Sequence, residues 1–503
     1  MGRRRNALTM LVDGNIVAGS GAPVEVVNPA TEEIVAEIAS ATPAEVEGAV
    51  AAARSAFTAW KRTPAAERGA MLRELSAWIT EHTDELAVTL TREGGKPLVE
   101  NRDEMGWSAS CLEFYTELGR MDRGRIVPSG EPGQLSLVIK EPIGVVAAIV
   151  PWNYPILLLM WKLAPALAAG NTVVVKPSPY TPLSTLQMCD AIAGIFPPGV
   201  VNVVTGDAGV GRALVSQRDV SMIAFTGSVE TGKAVARAAA EHLKKTHLEL
   251  GGKDAFIVCE DVEIEIAARG AVWAAYLNSG QVCTSAERFY VLGGVYDSFV
   301  EAFIEHTRKI VVGDPMEPAT DMGPLIRSVQ REKVESQLAA AQVAGAKVAF
   351  GGDRGRFDKG YFLTPAVVLD VDDSMALMSS ETFGPVAPIA KVATLEEAIR
   401  RTNTSEYGLG ANVYTRRLDY MLTAMEDIEA GTVWFNDPLT DNEAAPFGGF
   451  KSSGGSRELG IEGLDEFRGA KHVHIDTKVD AKAWWYPYAE YVRHQAEHGN
   501  APG

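Results

Sequence analysis

The chain has 503 residues, 47 of them basic and 65 acidic, for a formal charge of −18, with 46% hydrophobic and 22% charged side chains. That length suggests two or three compact units with ordinary soluble cores, and the composition excludes extensive disorder. The acidic balance offers no long-range attraction to nucleic acid or to an anionic membrane, so small-molecule chemistry is favoured.

The opening Met1-Gly2-Arg3-Arg4-Arg5-Asn6 lacks the apolar run of a secretory signal, and Asn6 breaks the myristoylation pattern. A cytoplasmic protein is expected. Apolar residues at helical spacing, Val46, Val50, Ala53, Phe57 and Trp60, then Met71, Leu72, Leu75 and Ile79, predict two amphipathic helices within 43–90. Residues 127–140 read as a strand pair with Gly130 and Gly133 in its turn. The most apolar region, 143–175, is interrupted by Pro151, Asn153, Pro155, Lys162 and Pro165, which makes it buried core rather than a membrane span.

From 143 onward, short β-branched runs alternate with helical stretches. Strands are predicted at 143–150, 172–176, 200–204 and 222–226, with helices at 156–169, 183–195, 209–216 and 232–243. This alternation implies a mostly parallel sheet covered on both faces, of the kind that binds nucleotides at its carboxyl edge. A second alternating region carries strand candidates at 255–259, 289–291, 347–349, 386–392 and 432–435. A late strand is expected at 472–477, followed by a polar and aromatic tail, 478–503, with Trp484, Trp485, Tyr486, Tyr488 and Tyr491. So many aromatic residues predict docking on the same or a neighbouring subunit. A lid over a substrate entrance is the bolder form of that expectation.

Four cysteines, Cys111, Cys189, Cys259 and Cys283, lack CxxC spacing and neighbouring histidines. A disulfide scaffold and a metal site are both disfavoured, and no metal is expected. Cys283 lies in Asn278-Ser279-Gly280-Gln281-Val282-Cys283-Thr284-Ser285 and follows Leu248-Glu249-Leu250-Gly251-Gly252-Lys253. A thiolate is a strong nucleophile, and a carboxylate in a poorly hydrated site can take up a proton, so the two suit covalent acyl chemistry. Taken singly, Cys283 reads first as an inert buried thiol, the usual fate of a lone cysteine, and Glu249 as a solvated charge, the commoner state of a glutamate. Gly227-Ser228-Val229-Glu230-Thr231-Gly232 follows a strand and opens a helix, so its N–H groups can face a pyrophosphate, although a plain turn explains the same pattern.

Seven motifs in order resemble the NAD(P)-dependent aldehyde dehydrogenase superfamily over about residues 10–477. They are Pro151-Trp152-Asn153-Tyr154-Pro155, Lys176-Pro177-Ser178, Phe225-Thr226-Gly227-Ser228, Leu248-Glu249-Leu250-Gly251-Gly252-Lys253, Gly280-Gln281-Val282-Cys283, Glu381-Thr382-Phe383-Gly384-Pro385 and Pro446-Phe447-Gly448-Gly449-Phe450-Lys451. The resemblance implies an α/β fold: a Rossmann-like cofactor domain (1–123 and 143–251), a second α/β catalytic domain (252–451) and a small β flap for oligomerisation (124–142 and 466–477). It also implies a homodimer or homotetramer.

By the same resemblance, Cys283 attacks an aldehyde to give a thiohemiacetal and, after hydride transfer, a thioester. Glu249 activates the hydrolytic water, and Asn153 with the Cys283 N–H holds the oxyanion. Lys162 and Glu458 match positions linked to proton movement around the base, and a structural ion pair is the other reading. Cofactor positions are Ile149, Trp152, Lys176, Ser178, Gly206, Gly211, Phe225, Thr226, Gly227, Ser228, Leu250, Gly251, Glu381 and Phe383. Among these, Lys176 is expected at the adenosine ribose, Glu381 at the nicotinamide ribose and Phe383 near the nicotinamide.

Two positions depart from the family pattern. Pro179 stands where NAD-preferring members often carry glutamate, which leaves NADP open beside NAD, and Ser456 stands where a glycine is usual, which questions the loop geometry there. The resemblance places Trp107, Cys111, Leu157, Trp161, Val282, Thr284 and Phe447 along the substrate tunnel. No arginine falls among them, so a short semialdehyde with a free carboxylate is disfavoured and aliphatic or aromatic aldehydes are expected. The loop Asp437-Pro438-Leu439-Thr440-Asp441-Asn442-Glu443 leaves amino- or trimethylammonio-aldehydes open, with a solvated acidic loop as the plain reading. Glu249 speaks against a CoA-acylating semialdehyde dehydrogenase, and the intact Asn153, Glu249 and Cys283 speak against a catalytically retired protein.

Overall fold

The computed structural model describes residues 9–121, 124–482 and 484–498. The N-terminal reading falls on residues 1–8, outside the described residues.

One seven-stranded sheet runs in the order Lys245–Glu249, Val220–Thr226, Val145–Ile149, Thr172–Lys176, Val201–Val203, Met10–Val12, Asn15–Val17. Its first five strands are parallel, and Met10–Val12 joins antiparallel at the edge. Side chains alternate between the two faces as the two-residue period of a strand requires. Val146, Ala148, Val173 and Val175 enter one core, while Val145, Ala147, Val174 and Ile223 enter the other. Both faces are covered, which explains the continuous β-branched runs in the sequence.

A second seven-stranded sheet has the order Lys347–Phe350, Ala366–Leu369, Val386–Val392, Ala286–Leu292, Asp254–Val258, Gly410–Tyr414, Thr432–Phe435. All its pairs are parallel except the outermost, Lys347–Phe350 with Ala366–Leu369. Gly124–Val127, Gln134–Pro142 and Arg468–Asp476 form a separate three-stranded sheet. The α/β fold class holds, with two largely parallel sheets beside a small β flap.

The early helical region is three helices, not two: Pro43–Trp60, Ala65–Glu81 and Thr83–Gly94. Thr42 and Glu45 form a capping box on the first, and His82 ends the second while heading the third. The helix predicted at 183–195 divides at Met188. Lys245–Glu249 was not expected as a strand, because its Lys-Thr-His start hides the alternation, and the late strand begins at Arg468 rather than near 472. The tail contains a helix, Tyr488–His498; on this protomer Tyr486 is 81% exposed and Trp485 56%, while Tyr491 is half-buried. No helix among the described residues is long and apolar enough to cross a membrane.

Candidate active site

Cys283 sits between the turn Leu277–Gly280 and the strand Ala286–Leu292. Asn278, Ser279 and Gly280 are left-handed in succession, at φ of 48°, 59° and 71°. Such backbone at a non-glycine residue costs about 1–3 kcal/mol and persists only where neighbours hold it. Here they do. The Asn278 N–H donates to Glu100 at 3.1 Å, Ser279 Oγ donates to the Gly323 carbonyl at 2.8 Å, and Gln281 Oε1 accepts the Ile326 N–H at 2.9 Å. At Gly280 an added Cβ would lie 2.2 Å from the Gly384 carbonyl, so only glycine fits.

Asn153 approaches this loop from the start of the helix Pro155–Ala169. Its Nδ2 donates to the Gln281 carbonyl at 3.0 Å. One amide hydrogen is thereby used for orientation and the second is left for another acceptor. The Cys283 N–H has no partner among the described residues. Asn153 and Cys283 line the same cavity, each with an N–H left for a further acceptor. Burial pushes the Cys283 thiol up, followed by the negative fields of Asp441, Asp254, Glu249 and Glu381.

Glu249 ends the edge strand Lys245–Glu249, next to Thr226 in register. It is 2% exposed, and neither carboxyl oxygen has a hydrogen-bond partner among the described residues. Burial pushes its pKa up, and the charge of Glu458 adds to that, against a smaller opposing effect of Lys162. A buried carboxyl without partners is costly unless it has a role.

Ser456, at the position where a glycine is usual, is tied to the strand that ends at Glu249. Its hydroxyl accepts the Leu248 N–H at 3.0 Å, while the Leu250 N–H donates to the Ser453 carbonyl at 2.9 Å. The loop thus covers the open edge of the strand that delivers Glu249. Gly448 closes over the same group, where an added Cβ would come within 2.9 Å of Glu249 Oε1.

Behind Glu249 lies a sealed polar cluster. Lys162 and Glu458 form a fully buried ion pair, and Lys162 Nζ also donates to Thr226 Oγ1 at 2.6 Å. His247 Nε2 stands 3.2 Å from Glu458. Burial works upward on the Glu458 carboxyl, but Lys162 and then His247 carry it below its ordinary value, so it is ionised. His247 was missed in the sequence because its strand was missed. Lys96 and Glu104 were also missed: they form a buried ion pair, Lys96 Nζ donates to the Asn153 carbonyl at 3.2 Å, and Glu104 accepts the Ile156 and Leu157 N–H groups at 2.9 and 3.1 Å. Nothing in their sequence neighbourhood marks them, since Lys96 lies between two helices and Glu104 among the polar residues of the helix Leu98–Met121.

The parallel strands of the first sheet end at a common edge marked by Ile149, Lys176, Phe225 and Glu249. A cavity of about 290 Å³ opens there. Trp152, Thr226, Gly227, Ser228, Leu250, Gly251, Glu381 and Phe383 line it, together with Cys283. Glycine keeps its floor open, because a Cβ at Gly227 would lie 2.6 Å from the Phe225 ring and one at Gly251 2.2 Å from Glu381 Oε1, so either side chain would have to move. Trp152 meets Phe383 edge to face at 5.4 Å. Burial pushes the Glu381 carboxyl up to about 7.

The other expected cofactor positions lie outside this lining. Lys176 is 4% exposed, and burial lowers its ammonium to about 8. It faces Gly211, whose added Cβ would be 3.7 Å from Lys176 Cδ. Ser178 Oγ accepts the Tyr180 N–H at 3.2 Å, and Gly206 is tight against Val210. Arg327, Gln330 and Lys333 line the cavity from the helix Ser328–Val343 and the residue before it, and were not foreseen. Gln330 Nε2 donates to the Phe383 carbonyl at 2.8 Å, fixing that loop.

A second cavity, of about 210 Å³, contains Trp107, Cys111, Leu157 and Trp161 of the expected tunnel. Val282, Thr284 and Phe447 are not in its lining: Thr284 is buried, and Phe447 packs on Trp161 at 5.0 Å. Burial pushes the Cys111 thiol far up, so it is inert. No group of three or more potential ligands that could hold a metal occurs among the described residues.

The aldehyde dehydrogenase family model matches residues 16–473. A mitochondrial succinate-semialdehyde dehydrogenase of Arabidopsis thaliana is 41% identical over 90% of this chain and 85% of its own length. A glutarate-semialdehyde dehydrogenase of Pseudomonas putida is 39% identical over 92% of this chain and 96% of its own. The crystal structure of betaine aldehyde dehydrogenase from Staphylococcus aureus with NAD+ superposes with a TM-score of 0.93 at 35% identity, covering 96% and 97% of the two chains. With a cleft that meets a held thiol at the carboxyl edge of a parallel sheet, the chain belongs to the aldehyde dehydrogenase family, which oxidises aldehydes with NAD(P).

Proposed function

We propose that this protein oxidises an aldehyde to a carboxylic acid by hydrolytic thioester chemistry on Cys283. Glu249, or water relayed to it, takes the thiol proton and passes it to solvent as the sulfur bonds the carbonyl carbon, and the new oxyanion lies between the Asn153 amide and the Cys283 N–H. NAD supplies the acceptor for the hydride that leaves this carbon. The collapsed oxyanion leaves a thioester. Ionised Glu249 then takes a proton from water, the hydroxide adds to the thioester carbonyl, and the C–S bond breaks to free the acid and the thiolate.

The observation that carries this reading is Glu249: a sealed carboxyl with both oxygens unpartnered, whose field acts on Cys283. Trp152, Glu381, Phe383 and the Gly227–Ser228 turn would hold the nicotinamide end and the pyrophosphate, and Lys176 the adenosine ribose. NAD is the cofactor of the proposal, with NADP left open by Pro179. The tunnel wall suits an aliphatic or aromatic chain beside the carbonyl, although the relatives' names span semialdehydes and betaine aldehyde. Measuring NADH formation with and without CoA tests the proposal. Product without CoA is expected, and strict dependence on CoA would assign the acylating reaction instead.

The same proposal divides the chain into a cofactor unit, 1–123 with 143–251, and a catalytic unit, 252–451. The edge strand Arg468–Asp476 offers unpaired backbone to a second copy, which supports a homodimer or homotetramer. Four free cysteines fit a reducing compartment, taken as the cytoplasm and testable by fractionation.

A further inference from the structure

A third cavity, of about 270 Å³, shares no residue with the cofactor cleft and only Trp273 with the substrate cavity. The helices Ile264–Tyr276 and Tyr296–Thr307 bound it, with Glu100 from the helix Leu98–Met121 and the loop residues Asp321 and Met322. Three of its residues bear on the turn that presents Cys283. Leu277 begins that turn, Glu100 accepts the Asn278 N–H at 3.1 Å, and Met322 precedes Gly323, whose carbonyl accepts from Ser279 Oγ at 2.8 Å. The cavity therefore lies behind the catalytic turn and is built partly from its supports.

The charges of the wall are divided between its two ends. Glu100 and Asp321 lie within each other's field, and each already accepts a backbone N–H, Asp321 that of Val311 at 2.8 Å. Arg269 stands seven residues before the end of its helix, about 10 Å along the axis from the Glu100 end. It is exposed and has no hydrogen bond or ion pair among the described residues. His306 beside it is held by Glu265 at 2.6 Å, whereas Lys309 reaches Glu305 only at 3.8 Å, on the exposed surface where such a pair is worth little. The charge left without a partner is thus positive. Between the two ends lie Val272, Trp273, Tyr276, Ile310 and Met322, an apolar stretch in which the Trp273 ring is exposed.

We infer that this cavity is an effector site for an amphipathic carboxylate, with the head on Arg269 and Lys309 and the apolar body against Trp273 and Met322. A guanidinium pairs a carboxylate through two parallel N–H donors, and the apolar wall gains by losing water. Because the wall includes supports of the Cys283 turn, the ligand binds best when that turn is formed and stabilises it by mass action. The site takes no part in the proposed oxidation, so its occupancy is read without turnover.

The test titrates the full chain by calorimetry with hexanoate, hexanamide and hexylammonium, which share one chain and differ in charge. Hexanoate should bind at least about tenfold more tightly than the other two. Arg269→Gln should remove that advantage, and Trp107→Ala, which alters the substrate cavity alone, should leave it intact. Hydrogen exchange of the amides in 277–284 should slow by at least about threefold at saturating hexanoate. No binding of hexanoate, equal binding of hexanamide, affinity retained in Arg269→Gln or affinity lost in Trp107→Ala overturns the site. Unchanged exchange in 277–284 with hexanoate bound overturns the effector role.

Discussion

Lys96 donates to the main-chain carbonyl of Asn153 at 3.2 Å, from a position between two helices and 57 residues earlier in the chain. The same ammonium is paired with buried Glu104, which caps the first turn of the helix that follows Asn153. Asn153, whose amide is proposed to hold the oxyanion, is thus fixed at its backbone by one ion pair and at its side chain by the Gln281 carbonyl. Gly95 makes the approach, at φ +78°, where a Cβ would strike Pro29 and Pro324 at 2.7 and 2.8 Å.

Lys96→Met should therefore lower kcat by about tenfold to a hundredfold with less change in KM, because misplacing a preorganised donor acts on the transition state. Lys96→Arg should recover part of the loss. Steady-state kinetics beside a thermal melt check this, and a folded Lys96→Met protein with unchanged kcat would remove the positioning role.

Glu249→Gln separates the two halves of the reaction. Acylation and hydride transfer should still give a burst of NADH close to one equivalent per active site, while steady-state turnover falls by about a hundredfold to ten-thousandfold. Cys283→Ala should abolish both phases. Stopped-flow absorbance at the NADH band distinguishes them, and a Glu249→Gln enzyme with full turnover would place the hydrolytic base elsewhere.

The pH dependence of deacylation follows from the field on Glu249. As a base it works only when ionised, and burial with the charge of Glu458 raises its pKa above the usual carboxylate range. Turnover should accordingly climb with pH along a limb displaced to the alkaline side of ordinary carboxylates. Glu458→Gln removes a negative neighbour and should move the limb to lower pH; Lys162→Met removes a positive one and should move it higher. Either change strands a buried charge, so the melting temperature should fall with a loss of about 3–5 kcal/mol. A pH-rate profile with an unmoved limb in both folded variants would disconnect the cluster from the base.

Removal of the tail after Thr477 tests its exposed aromatic groups. Trp484, Trp485, Tyr486 and Tyr488 present apolar surface that a monomer gains nothing by exposing. A smaller assembly in light scattering is expected, and unchanged mass with unchanged kinetics for bulky aldehydes would leave the tail without either role.

Much of the two large sheets was legible because a parallel strand covered on both faces leaves a largely unbroken apolar run: Thr172–Lys176 in the first and Val386–Val392 in the second match their predicted bounds. Lys245–Glu249 was not, since an edge strand carries lysine, threonine and histidine where its edge is sealed by a distant loop. Cys283, Glu249 and Asn153 stood out as chemical types set in motifs. Lys96, Glu104, His247 and Gln330 did not, because each acts through a partner that only the folded chain supplies.

The sequence by itself determined the chemistry on offer: a thiol, a carboxyl and an amide within family motifs, and alternating elements that build parallel sheets. The tertiary structure decided what state those groups are in. Burial leaves Glu249 without partners, and loops from opposite ends of the chain pin Asn153 and cover the Glu249 strand. Three helices and one loop set tryptophans and Asp441 around one cavity. Such properties depend on excluded water and on fields between groups far apart in sequence, and neither is written in local residue patterns.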